Sequence, residues 1–280
     1  MFKTRVITAV VLLLVLFAVL GYGGELGWNL FVLLVLATGF WEWARFNPRL
    51  SNHAPAYAVA SSALAVGLFM FLPLQTYGAP LMALSSVFWV AFAPWCLRRV
   101  QIGALQHAGL FAFTGWILLC AAGVALILAK QGGVVYLLSL VAICWAADIF
   151  AYIFGKTMGK NKLAPSISPG KSWEGAIGGT LSVVALSWLL VLAADHWPSL
   201  QDSWQFKALE RWHPLVFTVW LVVLSAFSIV GDLFESMLKR RSGLKDSSHL
   251  LPGHGGVLDR IDAQLPVLPL AVLLVFIGSV

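Results

Sequence analysis

Five carboxylates stand in surroundings that are otherwise strongly apolar. Asp148 lies in CWAADIFAYIFGK, Asp232 and Glu235 in GDLFES, and Asp259 and Asp262 in VLDRID. Each of the last two pairs is spaced by three residues, which puts both acids on one face of a helix. An unpaired acid at the centre of a membrane helix costs about 2.5–3.5 kcal/mol, and less toward the ends. Acids near a helix C-terminus, as in GDLFES, also oppose the helix dipole, so a cation is needed to offset them. Lys171, Lys239, Arg240, Lys245 and Arg260 provide cations close by in the sequence. A few hard oxygen ligands with room left for phosphate oxygens suit Mg2+. Lysine and arginine around them suit a polyphosphate. The chemistry these residues could do is therefore that of a metal–phosphate site.

Two backbone motifs flank the acids. SPGKSWEG (168–175) leads into an apolar run. The N-terminus of the helix it opens would offer free N–H groups and partial positive charge to an anion, with Lys171 adding a mobile cation. The same residues also read as a capping box running from Lys171 or Ser172 to Glu174. In LPGHGGVLDRID, Pro252, Gly253, Gly255 and Gly256 forbid regular helix and let backbone approach a ligand closely, with His254 among them.

The elements that must carry these residues are membrane helices. Hydrophobic residues make up 60% of the 280, and charged residues only 11%. Apolar runs near twenty residues long recur from end to end, which excludes an ordinary soluble domain. Nine spans are expected, near 4–21, 27–44, 55–74, 79–97, 108–129, 133–154, 174–194, 213–234 and 264–280. The fold class is all-α and polytopic. It divides into an N-terminal region of about five spans (1–130) and a C-terminal region holding the motifs (131–280). Asp148 falls about two turns short of the inside end of the sixth span.

Alternating nine spans from an inside N-terminus places 15 of the 18 basic residues inside, leaving only Lys130, Lys207 and Arg211 outside. The positive-inside rule then predicts a cytoplasmic N-terminus and puts every motif above on the cytoplasmic face. Basic residues facing an anionic leaflet explain the net charge of +6 without nucleic acid as a partner. Orientation alone accounts for Arg45, Arg49, Arg98 and Arg99. The first span, which begins with Lys3 and Arg5, lacks a clear small-residue cleavage site and is expected to stay as a helix. Trp28, Trp41, Trp43, Trp95, Trp173, Trp197, Trp204 and Trp212 are expected in interfacial belts. GAIGGT (175–180) offers small residues for close helix packing. Cys96, Cys120 and Cys144 show no metal or redox spacing and read as buried thiols.

From Ser236 to Asp262 the chain reads SMLKRRSGLKDSSHLLPGHGGVLDRID. This pattern resembles the signature of the bacterial phosphatidate cytidylyltransferase (CDP-diacylglycerol synthase) family: serine, Lys-Arg, Lys-Asp, Pro or Gly, His-Gly-Gly, then Asp-Arg-hydrophobic-Asp. The resemblance extends upstream through GDLFES, SPGKSWEG and the Asp148 span, covering roughly 145–265, while the first 130 residues match only as generic membrane helices. Gly170 departs from it, standing where many members carry a second lysine.

The resemblance implies that CTP and phosphatidate give CDP-diacylglycerol and pyrophosphate in the bacterial inner membrane, with one or two Mg2+ ions and a homodimer. It implies metal binding and catalysis by Asp148, Asp232, Asp259 and Asp262, with Lys239 also catalytic. Contact with substrate is implied for Lys171, Ser172, Arg240, Lys245, Asp246, His254, Gly255, Gly256 and Arg260. Two other classes use related parts. A CTP-dependent lipid or polyprenol kinase would transfer the γ-phosphoryl group instead. An ion-coupled transporter would place paired acids near the midplane of repeats, whereas here the acids gather toward one face and no internal repeat is found.

Overall fold

In hydrocarbon an apolar segment can satisfy its backbone internally only as a helix or in a closed barrel. The computed structural model, which describes residues 2–277, is correspondingly helical. Its first half comprises α1 (Phe2–Tyr22), α2 (Gly24–Arg45), α3 (Pro48–Ser51), α4 (Ala54–Phe71), α5 (Leu74–Val87), α6 (Ala93–Arg99) and α7 (Ala108–Gln131). Then follow α8 (Val134–Met158), a hairpin of β1 (Lys162–Ala164) and β2 (Ser168–Ser172), α9 (Trp173–Ala193) and α10 (Trp204–Arg211). The chain closes with α11 (Pro214–Arg241), α12 (Leu258–Ile261) and α13 (Gln264–Ile277).

Among the described residues, seven helical segments are long and apolar enough to cross a membrane: α2, α4, the continuous run Leu74–Arg99, α7, α8, α9 and α11. Two shorter apolar helices, Val6–Tyr22 and Gln264–Val275, stand where the first and ninth spans were expected. Residues 278–280 of that last expected span lie outside the described residues. Between α5 and α6 the helix widens to a π turn over Phe88–Phe92. Pro94 explains it, because proline lacks an N–H and its ring crowds the carbonyl four residues back.

Protein rather than lipid surrounds α7. Its apolar stretch is 72% buried, against 22–39% for the other six. Packed against it are α2, α4, α5, α8 and α13, so both halves of the chain share one core. The tryptophan expectation needs correction here. Trp28, Trp43 and Trp204 are buried, and their indole N–H groups donate to the carbonyls of Leu126, Phe111 and Ala271 at 3.3, 2.9 and 2.9 Å. A buried indole needs such an acceptor, and nearby carbonyls supply it. Trp95, Trp173 and Trp197 remain exposed. The three cysteines are free and buried.

The small residues of α9 let it lie directly on α8. A Cβ at Gly178 would come 2.3 Å from Phe154, and one at Gly179 would come 2.7 Å from the Ala147 carbonyl. At the other end of the chain, α11 runs past the expected boundary at 234 as far as Arg241. Basic residues suit a helix C-terminus, and the extension places Asp232, Glu235, Lys239 and Arg240 on a single helix. The hairpin is absent from the all-α expectation. It pairs Lys162 with Ser172 and Ala164 with Ser168, antiparallel, immediately before α9.

Segments expected inside meet at one end of the bundle, joined there by the first turns of α1. Ser242 Oγ donates to the Phe46 carbonyl at 2.5 Å, Arg241 to the Val100 carbonyl at 3.2 Å, and Thr8 Oγ1 to the Pro252 carbonyl at 2.9 Å.

Candidate active site

At that end a cavity of about 700 Å³ opens between α8, the hairpin, α9, α11 and α12. Asp148, Lys171, Ser172, Asp232, Asp259, Arg260 and Asp262 all line it, as do Tyr152, Lys156, Ser168 and Gly170. Residues far apart in sequence thus line one cavity.

Each wall is built by local rules. Ser172 caps α9, its Oγ accepting from the Gly175 N–H at 3.2 Å. Glu174 does not complete the expected capping box. Its carboxylate turns instead to the N–H groups of Lys160 and Asn161 and to the Asn161 amide, and so ties the base of the hairpin to α9. The strand β2 then delivers Lys171 over the cavity, where its Nζ lies 2.6 Å from Asp232.

Lysine also meets the second acid of α11, but away from the cavity. Lys239 is buried, bonded to Glu235 at 2.6 Å one turn earlier and to Asp259. Cations thus offset the two acids near the end of α11, as the dipole argument requires. Lys239 does not line the cavity, and its charge is directed to two carboxylates rather than toward a phosphate.

Asp259 takes more than Lys239. Its Oδ2 accepts from the N–H groups of Ser247 and Gly256, each at 2.8 Å. Burial alone would raise this carboxyl, but Lys239 and the two N–H donors outweigh it and hold it below the usual carboxylate range. Asp262 differs: burial, reinforced by the Asp232 and Glu235 carboxylates, pushes it well above that range. Asp148 opens onto the cavity from α8.

These residues fit Mg2+ in one specific sense. Among the described residues no three His, Cys, Asp or Glu side chains form a group that could hold a metal alone. Mg2+ commonly takes only one or two carboxylates, with water and substrate phosphates completing its shell. A cavity lined by four carboxylates beside Lys171 and Arg260 matches that requirement.

The remaining expected substrate contacts do not line the cavity. Arg240 and Lys245 are exposed beyond it, and Asp246 and His254 lie in the loop between α11 and α12. Pro252 and Gly253 form a tight turn there, closed by Leu251 N–H to the Gly255 carbonyl at 2.9 Å, and Gly253 and Gly255 have φ of 77° and 82°. Gly255 and Gly256 serve the loop itself: a Cβ on Gly255 would come 2.6 Å from Asp259 Oδ2, and Gly256 is hemmed in by Ser247 and Glu42.

Glu42 and Arg45, both on α2, also reach this loop, and the sequence reading gave neither a place at the site. Glu42 on α2 accepts hydrogen bonds from it, and Arg45 donates to the Ser247 carbonyl at 2.7 Å. Orientation therefore does not exhaust the role of Arg45, nor is α2 a generic helix. The available signal was a lone acid within an apolar run, FWEWAR, which by default marks a functional position.

A family model described as the cytidylyltransferase family matches residues 3–277. A protein of Haemophilus influenzae named phosphatidate cytidylyltransferase is 33% identical, the match covering 96% of this chain and 96% of that one. One of the same name from Pseudomonas aeruginosa is 38% identical over 96% and 95%. Another from Brucella abortus is 31% identical over 99% and 93%.

Proposed function

The chain belongs to the cytidylyltransferase family, and on that premise we propose that it makes CDP-diacylglycerol and pyrophosphate from CTP and phosphatidate. The observation that carries the reading is the cavity at one end of the membrane bundle, which brings Asp148, Asp232, Asp259 and Asp262 together with Lys171 and Arg260.

The chemistry asks little of the protein beyond placement. A phosphate oxygen of phosphatidate is already anionic at neutral pH, so it can attack the α-phosphorus of CTP without a general base. The bond between the α-phosphorus and the bridging oxygen breaks, and pyrophosphate leaves. What remains is in-line positioning and neutralisation of charge on the phosphates. Lys171 from β2 and Arg260 from α12 hold phosphate oxygens. Asp148, Asp232, Asp259 and Asp262 are the residues that would hold one or two Mg2+ ions. When bound, Mg2+ would offset negative charge on the reacting phosphates. The lipid reaches the site with its acyl chains still in the bilayer.

The site faces the cytoplasm, where CTP is found. The distribution of basic residues, 15 of the 18 on one side of the expected topology, supports that orientation in a bacterial inner membrane. The active form is a homodimer, an expectation that comes from the family resemblance.

Purified protein given CTP, phosphatidate and Mg2+ should release pyrophosphate and form CDP-diacylglycerol, and omitting phosphatidate should stop the release. Formation of CDP with a newly phosphorylated lipid would reassign the protein as a kinase.

A further inference from the structure

Glu42 stands outside the cavity yet beneath the loop that holds Asp259. None of its surface is exposed (0%). Its Oε1 accepts from Ser248 Oγ at 2.5 Å and from the Val257 N–H at 2.9 Å. Its Oε2 accepts from the Leu258 N–H at 2.6 Å and from Ser247 Oγ at 3.1 Å. A carboxylate removed from water requires compensation of this kind. Among the described residues no cation forms an ion pair with it, and these donors come from the loop and the first residue of α12.

The same stretch of loop supplies the donors of Asp259. Ser247 and Gly256 give it their N–H groups, and Ser247 Oγ lies 2.8 Å from Asp259 Oδ2. That hydroxyl has one proton and two carboxylate neighbours, so it links Glu42 to Asp259 through a single atom. Val257 and Leu258, whose N–H groups bind Glu42, directly precede Asp259 in the chain. At Gly256 the approach is so close that a Cβ would fall 2.2 Å from Glu42 Oε1. Only glycine leaves Glu42 room to reach the loop there.

We propose that Glu42 is a positioning residue for Asp259: it holds the loop so that Ser247 and Gly256 meet the Asp259 carboxylate and fix it at the cavity wall. The proposal rests on reading the cavity as the site of cytidylyl transfer. Glu42 touches neither substrate nor reacting atom. Its effect therefore falls on kcat more than on binding through Lys171, which is carried by a separate element.

Glu42→Gln keeps the size of the side chain but removes its charge and half its acceptor capacity. Amide hydrogen exchange across Ser247–Leu258 should quicken about tenfold while that of α7 stays unchanged. The same variant should lose about 10–100-fold in kcat, the range for residues that orient a site's acids, with KM for CTP altered less. Ser248→Ala removes one of the loop's donors and should shift both readouts the same way by less. Combined, the two substitutions should cost less than the sum of their separate effects, because they break one contact. Unchanged exchange or unchanged kcat in Glu42→Gln overturns the proposal, as does strict additivity. Should Glu42→Gln fail to fold, Ser248→Ala decides alone, with unchanged exchange or unchanged kcat as the contrary result. If the wild-type protein makes no CDP-lipid, the functional reading fails first. The exchange measurement then still decides whether Glu42 holds the loop, and unchanged exchange overturns the proposal on its own.

Discussion

Asp232 and Lys239 lie two turns apart on α11, yet their partners predict different failures. Asp232 faces the cavity with Lys171 beside it. Asp232→Asn should therefore leave a folded protein whose turnover falls by about two orders of magnitude, as for a carboxylate that serves a metal–phosphate site. Activity within about twofold of wild type at saturating Mg2+ would remove Asp232 from that role. Lys239 is instead enclosed between Glu235 and Asp259. Lys239→Ala strands both carboxylates, and losing one partner of a buried pair costs about 3–5 kcal/mol. Denaturation in detergent should show that loss, whereas Arg240→Ala, at an exposed position, should stay within about 0.5 kcal/mol of wild type. The acids were readable in the sequence because a carboxylate in an apolar run is too costly to be incidental. The spacing of Glu235 four residues before Lys239 carried the pair, but Lys239 was read toward phosphate instead. Its second bond, to Asp259, crosses a loop whose path no local spacing reveals.

At the scale of elements, the cavity depends on how closely α9 lies against α8. Gly178 has no space for a methyl group beside Phe154, so Gly178→Ala must shift the start of α9, and with it Lys171 and Ser172. Overpacking of this kind costs about 1–3 kcal/mol. Thermal stability and kcat should fall together. Ile177→Ala, on the exposed side of the same helix, should change neither. The GAIGGT run announced this contact in advance, because small residues at helical spacing have few other uses in a membrane. The hairpin gave no such notice. Strands of three and five residues are too short to show alternation, and SPGKS reads equally well as the lead-in to a helix. Glu174 shows why, since its carboxylate bonds across to Lys160 and Asn161, thirteen or more residues earlier in the chain. The role of α2 was hidden in the same way, because Glu42 meets residues more than 200 positions away.

For the whole molecule, the apolar runs marked every major helix. What they could not mark was which span is enclosed, because α7 is no less apolar than its lipid-facing neighbours and is buried by packing alone. The orientation is testable directly. A cysteine replacing Leu250, exposed in the loop before α12, should react with a membrane-impermeant thiol reagent only after cells are opened. A cysteine at Gln201, exposed at the opposite expected face, should react in intact spheroplasts. Labelling of position 250 from outside would separate the cavity from CTP. The central claim concerns which bond of CTP is broken, and a label on a single phosphate reads that bond. Purified protein incubated with phosphatidate, Mg2+ and CTP labelled at the α-phosphate should yield labelled lipid, while CTP labelled at the γ-phosphate should yield labelled pyrophosphate and unlabelled lipid. Label passing from the γ-phosphate into lipid, or no labelled lipid from either substrate, would contradict the account.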